Sequence, residues 1–486
     1  MFIYKIQFFV FVLFIFISLP NIFKRPALWI AFMLFSLALI PNSSVFQEER
    51  ILGEGFKLFT KYIGGILSIW DIFTLFGFYL VLKSRSEKVC HHNSADINDT
   101  LHIIYIFWFF SVLNGLAHAT FFQYGYTSFR SVVQQAQPAV YFILSLFLTR
   151  SIIKNEQDID MMIKALSYCN LFILAEGVVF FVLGITEVFY FTKGFGGIPI
   201  VIYDGMGFLA IGVLIVIAKY MHNQRITYID IIVLLGGIAF ILLSTRRMNL
   251  LMLFINVVII WLATDTKDNS VNKTYQLAKL TLLAIIPLAI IMPIVVPDFI
   301  DIFINVLNSI NMSSEAGEAN AGLFRLAQIS NLFLNMNEET PFSYIWGMGL
   351  GTQWYEFIPL IGLQSGGDTA YVMALQDQGE LGWWPYFHIA NIAVIYRYGV
   401  LGVLAITYIG FLWFMRFVRA NKTILHKYQP VILVFTVTIF ETIIIMGESL
   451  DSSYPAQLGI WLGVSGAILN LDNKRQQYLQ INRCLG

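Results

Sequence analysis

Apolar runs long enough to cross a bilayer follow one another along most of this chain, and that succession leaves few folds open. A hydrocarbon core of about 30 Å takes about 20 residues of helix, and backbone groups inside it must be satisfied within the segment. Runs of this kind lie at about 3–19, 27–41, 63–82, 101–119, 133–149, 163–184, 199–218, 226–243, 247–263, 277–296, 392–415, 430–446 and 455–470. The expectation is an all-α polytopic membrane protein with about 12–13 transmembrane helices. Composition agrees, because only 12% of the 486 residues are charged and 58% are hydrophobic. A soluble domain would carry roughly twice that charge. No small-residue cleavage site follows Phe8–Leu19, so that run reads as a retained span.

One long segment interrupts the pattern. The organisation expected is a bundle of about ten helices over 1–297, a large, mostly helical or irregular loop over 298–391, and helices with a short tail over 392–486. Lys and Arg in the short loops orient it. One alternating set of loops holds Lys24 and Arg25, Lys83, Arg85 and Lys88, Arg150 and Lys154, Lys219 and Arg225, Lys422 and Lys427, and Lys474 and Arg475. That set is expected in the cytoplasm. The large loop is then expected on the periplasmic side, with Arg325 its single basic residue between Asp298 and His388.

Scarcity of cations on that side makes the few present informative. Arg246 and Arg247 sit side by side between two apolar runs, Arg130 opens the fifth span, and Arg325 comes from the loop. Guanidinium groups at a membrane surface suit phosphate oxygens, which they grip in a forked geometry. Snorkelling to the headgroups or a salt bridge is the plainer role for each. His388 stands where the chain returns to the membrane, and an imidazole titrating near 6.5 can take a proton from a sugar hydroxyl. Asp71, Glu176 and Asp204 fall in or near apolar runs, where an ionisable group needs a partner such as Arg130 or Arg247. Gly347-x-Gly349-x-Gly351 reads as a turn, since no strand–helix unit surrounds it. Cys90-His91-His92 reads as solvated loop, and Asp158-Ile-Asp160 as an isolated cytoplasmic pair. The formal net charge is zero, which gives no electrostatic case for nucleic acid.

Three motifs in order resemble the O-antigen polymerases and O-antigen ligases. His388 precedes Gly399 and Gly402, with Asn391 nearby and Arg397 between, as at the end of that family's large periplasmic loop. Leu243-Ser244-Thr245-Arg246-Arg247 is similar to its Ser-x-Ser-Arg-Gly turn, with Arg247 on the family arginine. Arg325 stands about twenty residues before Gly347-Met348-Gly349, like the family's loop arginine. Asp368, with Gly379 and Gly382 at the same spacing, offers a competing register for His388.

The resemblance implies a glycosyltransferase of the bacterial inner membrane with its site facing the periplasm. Its substrate would be an oligosaccharide on undecaprenyl diphosphate, joined repeat unit by repeat unit. Arg247, Arg325, Arg130 and Arg246 would hold the departing diphosphate, and His388 would activate the acceptor hydroxyl. Neither metal nor other cofactor is implied, and a chain-length regulator protein is a further implied partner. Transfer to lipid A core (a ligase) and translocation of the lipid-linked oligosaccharide (a flippase) are the competing expectations.

Overall fold

A computed structural model describes residues 2–39, 62–63, 67–85, 106, 108–122, 128–182, 192–193, 199–200, 206–243, 247–263, 279, 318–339, 342–358, 383–384, 390–421, 424–435 and 453–485. Among them helix dominates, and the strands are three two-residue antiparallel pairings. Among the described residues, three helices are long and apolar enough to cross a membrane: Ser131–Ile152, Glu156–Val179 and Val394–Leu412. Four shorter apolar helices accompany them. The chain is a helical membrane protein.

The helices follow the apolar runs. In order they are α1 (Phe2–Lys24), α2 (Ala27–Leu39), α3 (Ile69–Arg85), α4 (108–117, closed by a π-turn at His118–Phe122), α5 (Phe129–Ile152) and α6 (Glu156–Val182). Then come α7 (Met206–Met221), α8 (Tyr228–Leu243), α9 (Arg247–Ala263), α10 (Glu318–Glu339), α11 (Ser343–Trp346), α12 (Ala390–Asn421), α13 (429–435) and α14 (Ser453–Leu485). The run at 277–296 lies outside the described residues, apart from Lys279.

Two departures from the apolar pattern have local causes. The run at 63–82 starts as a strand pair, Tyr62–Ile63 with Leu67–Ser68, and turns helical only at Ile69. Ser68 and Asp71 set that start by capping reciprocally. The Asp71 N–H donates to the Ser68 hydroxyl (3.1 Å), and the Ser68 N–H and hydroxyl each donate to Asp71 Oδ2 (2.8 Å). The second departure is in α12, where Gly399 takes φ 66°, ψ −174° and breaks the helix that the sequence presents as continuous.

Helix order can be read from pairs of contacts. Tyr141 of α5 donates its hydroxyl to Asp71 of α3 (3.0 Å), and lower down Gly77 lies against Leu148, so the two helices run parallel. Asp71 therefore pairs with a tyrosine. Gly459 of α14 faces Phe142 and Ser145 of α5, and Gly463 faces Thr149, which makes α14 parallel to α5 as well. That pair forms the most extensive interface among the described helices. Glycines four apart bring the two backbones together, as in other helix pairs packed within lipid.

At the C-terminal end of α5 the cations gather. Arg25, in the α1–α2 turn, donates to Asp158 (3.3 Å), whose carboxylate also accepts the Lys154 N–H (3.2 Å). Lys427 pairs with Glu156 (3.0 Å) and Asp160 (3.4 Å), and the Tyr428 hydroxyl donates to Asp160 (2.9 Å). Lys83, at the end of α3, stands 4.5 Å over the Phe23 ring. Asp158 and Asp160, isolated in sequence, are thus anchors for two cation-bearing loops. Burial pushes the Tyr428 phenol up to about 12, and Asp160 adds to the rise. Slight burial draws the Lys427 ammonium down, but hydrogen bonding to Tyr428 and Glu156 and the Asp160 charge outweigh it, so the ammonium stands above its ordinary value. From Ile153 at this end back to Ser131, α5 covers about 33 Å, the depth of a bilayer core.

Candidate functional site

At the opposite, cation-poor end of α5 the chain makes a knot around Gly347-Met348-Gly349-Leu350-Gly351. All three glycines have positive φ, 78°, 89° and 85° respectively. Each glycine backs onto a different helix. A Cβ at Gly347 would strike the Arg397 and Gly399 backbone of α12, one at Gly349 would strike Asn114 and Gly115 of α4, and one at Gly351 would strike Val132 of α5. Met348 and Leu350 fill the spaces between and are fully buried. Only a residue without a side chain satisfies both the left-handed backbone and the approach.

Hydrogen bonds complete the knot. The Met348 N–H donates to the Tyr396 carbonyl (2.6 Å), Gly349 N–H to Arg397 (3.1 Å) and Leu350 N–H to Ser111 (3.0 Å). Asn114 Nδ2 donates to the Gly347 carbonyl (2.8 Å), and the Ser111 hydroxyl to the Arg397 carbonyl (3.1 Å). From α5, Gln135 Oε1 accepts the Gly351 N–H (2.7 Å) and the Ser131 hydroxyl donates to the Gly351 carbonyl (3.0 Å). Buried backbone groups of a loop need such partners, and here three helices supply them.

A fourth element is tied on by two asparagines. Asn335 of α10 accepts the Tyr355 N–H (2.6 Å) and donates to the Tyr355 carbonyl (2.7 Å). One turn earlier, Asn331 accepts the Ile358 N–H (2.7 Å) and donates to its carbonyl (2.9 Å). Each side-chain amide thus stands in for the edge of a strand. Tyr396 reaches over to donate its hydroxyl to the Gln353 carbonyl (2.9 Å). Trp354 and Tyr355 pair with Trp384 and Trp383, which precede α12 in sequence.

The sequence-derived candidates fall into three groups. Arg130 is the second residue of α5, beside Ser131, and Arg325 lies on α10, at a position that shares its helix face with the buried Leu332 and Met336. Arg397 is 7% exposed, with its carbonyl taken up by Gly349 and Ser111. The elements carrying these three arginines all attach to the glycine knot. Arg247 is the first residue of α9, which packs mainly on α7, so its element is not brought to the knot by the interfaces described. His388, Arg246, Asp368 and Asp204 lie outside the described residues. Glu176 is buried within α6.

Ser111, Asn114, Gly115, Asn331 and Asn335 escaped the sequence reading. A signal was present for the last two, since asparagines four apart on a helix share a face, and the residues that follow them, Leu332 and Met336, are buried on it. No protein-family model matches this chain, and no curated protein matches it in sequence.

Proposed function

We propose that the chain is a membrane glycosyltransferase that polymerises undecaprenyl-diphosphate-linked oligosaccharide repeat units at the outer face of a bacterial inner membrane. The observation that carries the reading is the attachment of the Arg130, Arg325 and Arg397 elements to one loop, at the end of the bundle away from the loop cations. Positive charge is what a departing diphosphate requires. Twelve to thirteen spans, a cytoplasmic C-terminus and the 298–391 segment on the periplasmic side belong to the same proposal.

In the reaction the acceptor hydroxyl oxygen attacks the anomeric carbon of the lipid-linked glycan. The bond from that carbon to the diphosphate oxygen breaks, and its electron pair leaves on the diphosphate. Arg325 and Arg130 receive that charge, with Arg247 and Arg246 as further ligands. His388 takes the hydroxyl proton, and Asp368 is the alternative base. Guanidinium groups supply the charge stabilisation without a metal.

Incubating the purified protein with a lipid-linked repeat unit tests this, with and without lipid A core. A ladder of lengthened glycans without core is expected. A product formed only with core would make the enzyme a ligase, and no product under either condition would remove the transferase reading.

A further inference from the structure

The segment between the two groups of spans has an apolar flank of its own. On α12 the exposed residues Val400, Leu404, Tyr408 and Phe411 recur along one face of a helix apolar enough to cross the membrane. That spacing marks the lipid side of a span. Immediately beyond it, Gly399 backs onto Gly347, so the exposed Ile345 and Trp346 of α11 continue the same surface. The Trp346 ring lies 6.3 Å from that of Phe110, itself an exposed residue of α4. Phe342, 68% exposed, extends the patch toward α10.

On α10 the division is sharp. One face holds Asn331 and Asn335, buried and bonded to the 355–358 backbone. Another presents Leu326, Phe333 and Leu334 outward. Phe333 stacks on Tyr344 (6.1 Å between centroids), and the Tyr344 hydroxyl donates to the Phe333 carbonyl (3.1 Å), which fixes α10 against the start of α11. A helix free in water would set polar side chains there.

We propose that this flank of α10 and α11 lies in the membrane itself, at the headgroup–acyl boundary of the leaflet at the cation-poor end. Continuity with the lipid face of α12, through Gly399–Gly347 and Trp346–Phe110, identifies the occupant as lipid. Aromatic rings dominate the junction, and that boundary is where such rings settle. Amphipathic helices of this kind sink about 5–10 Å into it. Glu338 and Glu339 close the helix at its aqueous edge, and no lysine lies in α10, so apolar burial drives the association and anionic lipid is not required. Arg325 then rides at headgroup depth, a consequence that holds for any ligand there and does not depend on the transferase reading.

Full-length protein in phosphatidylcholine vesicles tests the proposal. The native cysteines are replaced, and a fluorescent label is placed singly by Leu334→Cys, Phe342→Cys and, as a control in the exposed α7–α8 turn, Arg225→Cys. The three positions are exposed, so folding is preserved, and elution as one species in detergent checks it. Lipids brominated near the headgroup should quench the labels at 334 and 342 at least twofold more than the label at 225, and aqueous iodide should do the reverse. Equal iodide quenching at all three sites would overturn the proposal. So would absence of both kinds of quenching at 334 and 342 combined with disulfide-linked dimers of the Phe342→Cys protein, since a second copy would then cover the flank.

Discussion

Gly349 of the loop and Gly115 of α4 meet backbone to backbone, and neither has room for a Cβ. A Cβ at Gly349 would strike the Gly115 backbone and one at Gly115 the Leu350 carbonyl, so the loop is a structural clamp and a methyl group on either side pushes α4 away from it. Gly349→Ala adds the strain of a non-glycine residue at φ 89°, about 1–3 kcal/mol, to that collision. The expected result is a markedly lower thermal midpoint in detergent for Gly349→Ala and Gly115→Ala. Met348→Leu, which conserves volume, should cost less than about 1.5 kcal/mol. Wild-type midpoints for both glycine variants would mean that the loop is not clamped.

Asn335→Ala removes the amide that brackets the Tyr355 N–H and carbonyl, two hydrogen bonds worth about 0.5–1.5 kcal/mol each. Hydrogen exchange by mass spectrometry should show faster exchange at Tyr355. Asn331→Ala should do the same at Ile358. Unchanged protection in both variants would refute the strand-edge role given to the two amides.

For the α5–α14 pair, a large side chain at Gly463 meets Thr149 at once. Overpacking there should cost about 1–3 kcal/mol, so Gly463→Leu is expected to unfold several degrees earlier than wild type. A neutral result would show that the helices separate without loss.

The loops at the cation-rich end should loosen only in strong alkali. Both the Tyr428 phenol, at about 12, and the Lys427 ammonium stand above their ordinary values of 10.0 and 10.5. Their contribution is therefore whole below about pH 10 and is lost as pH rises through the folded-state values. Because these groups are partly exposed, the effect on stability is small. Absorbance at 295 nm, wild type minus Tyr428→Phe, should place one tyrosine near pH 12. A transition near pH 10 would contradict the Asp160–Tyr428–Lys427 arrangement.

Helix positions were legible in the sequence because a bilayer permits little else, so apolar length maps onto helix length. The start of α5 at Phe129 and of α8 at Tyr228 fell within a few residues of the apolar boundaries. Loop charge also marks which turns lie together, since Arg25, Lys83 and Lys427 fall in one alternating set of loops. What stayed hidden was long-range. Nothing local distinguishes Gly347–Gly351 from an ordinary turn, since its partners on α4, α5 and α12 lie far away in the chain. Gly399 has helix-forming neighbours on both sides, and only the approach of Gly347 explains its break. Arg325 was singled out by the absence of other cations, whereas the asparagines that hold its helix in place carry no charge to draw attention.

Removal of the proposed charge and base tests the central claim most directly. Arg325→Ala and His388→Ala proteins, shown by membrane fractionation to insert normally, should leave surface glycan at a single repeat unit. In the purified system, each should slow chain extension by about 10²–10³-fold. Glycan of wild-type length from both variants would contradict the account.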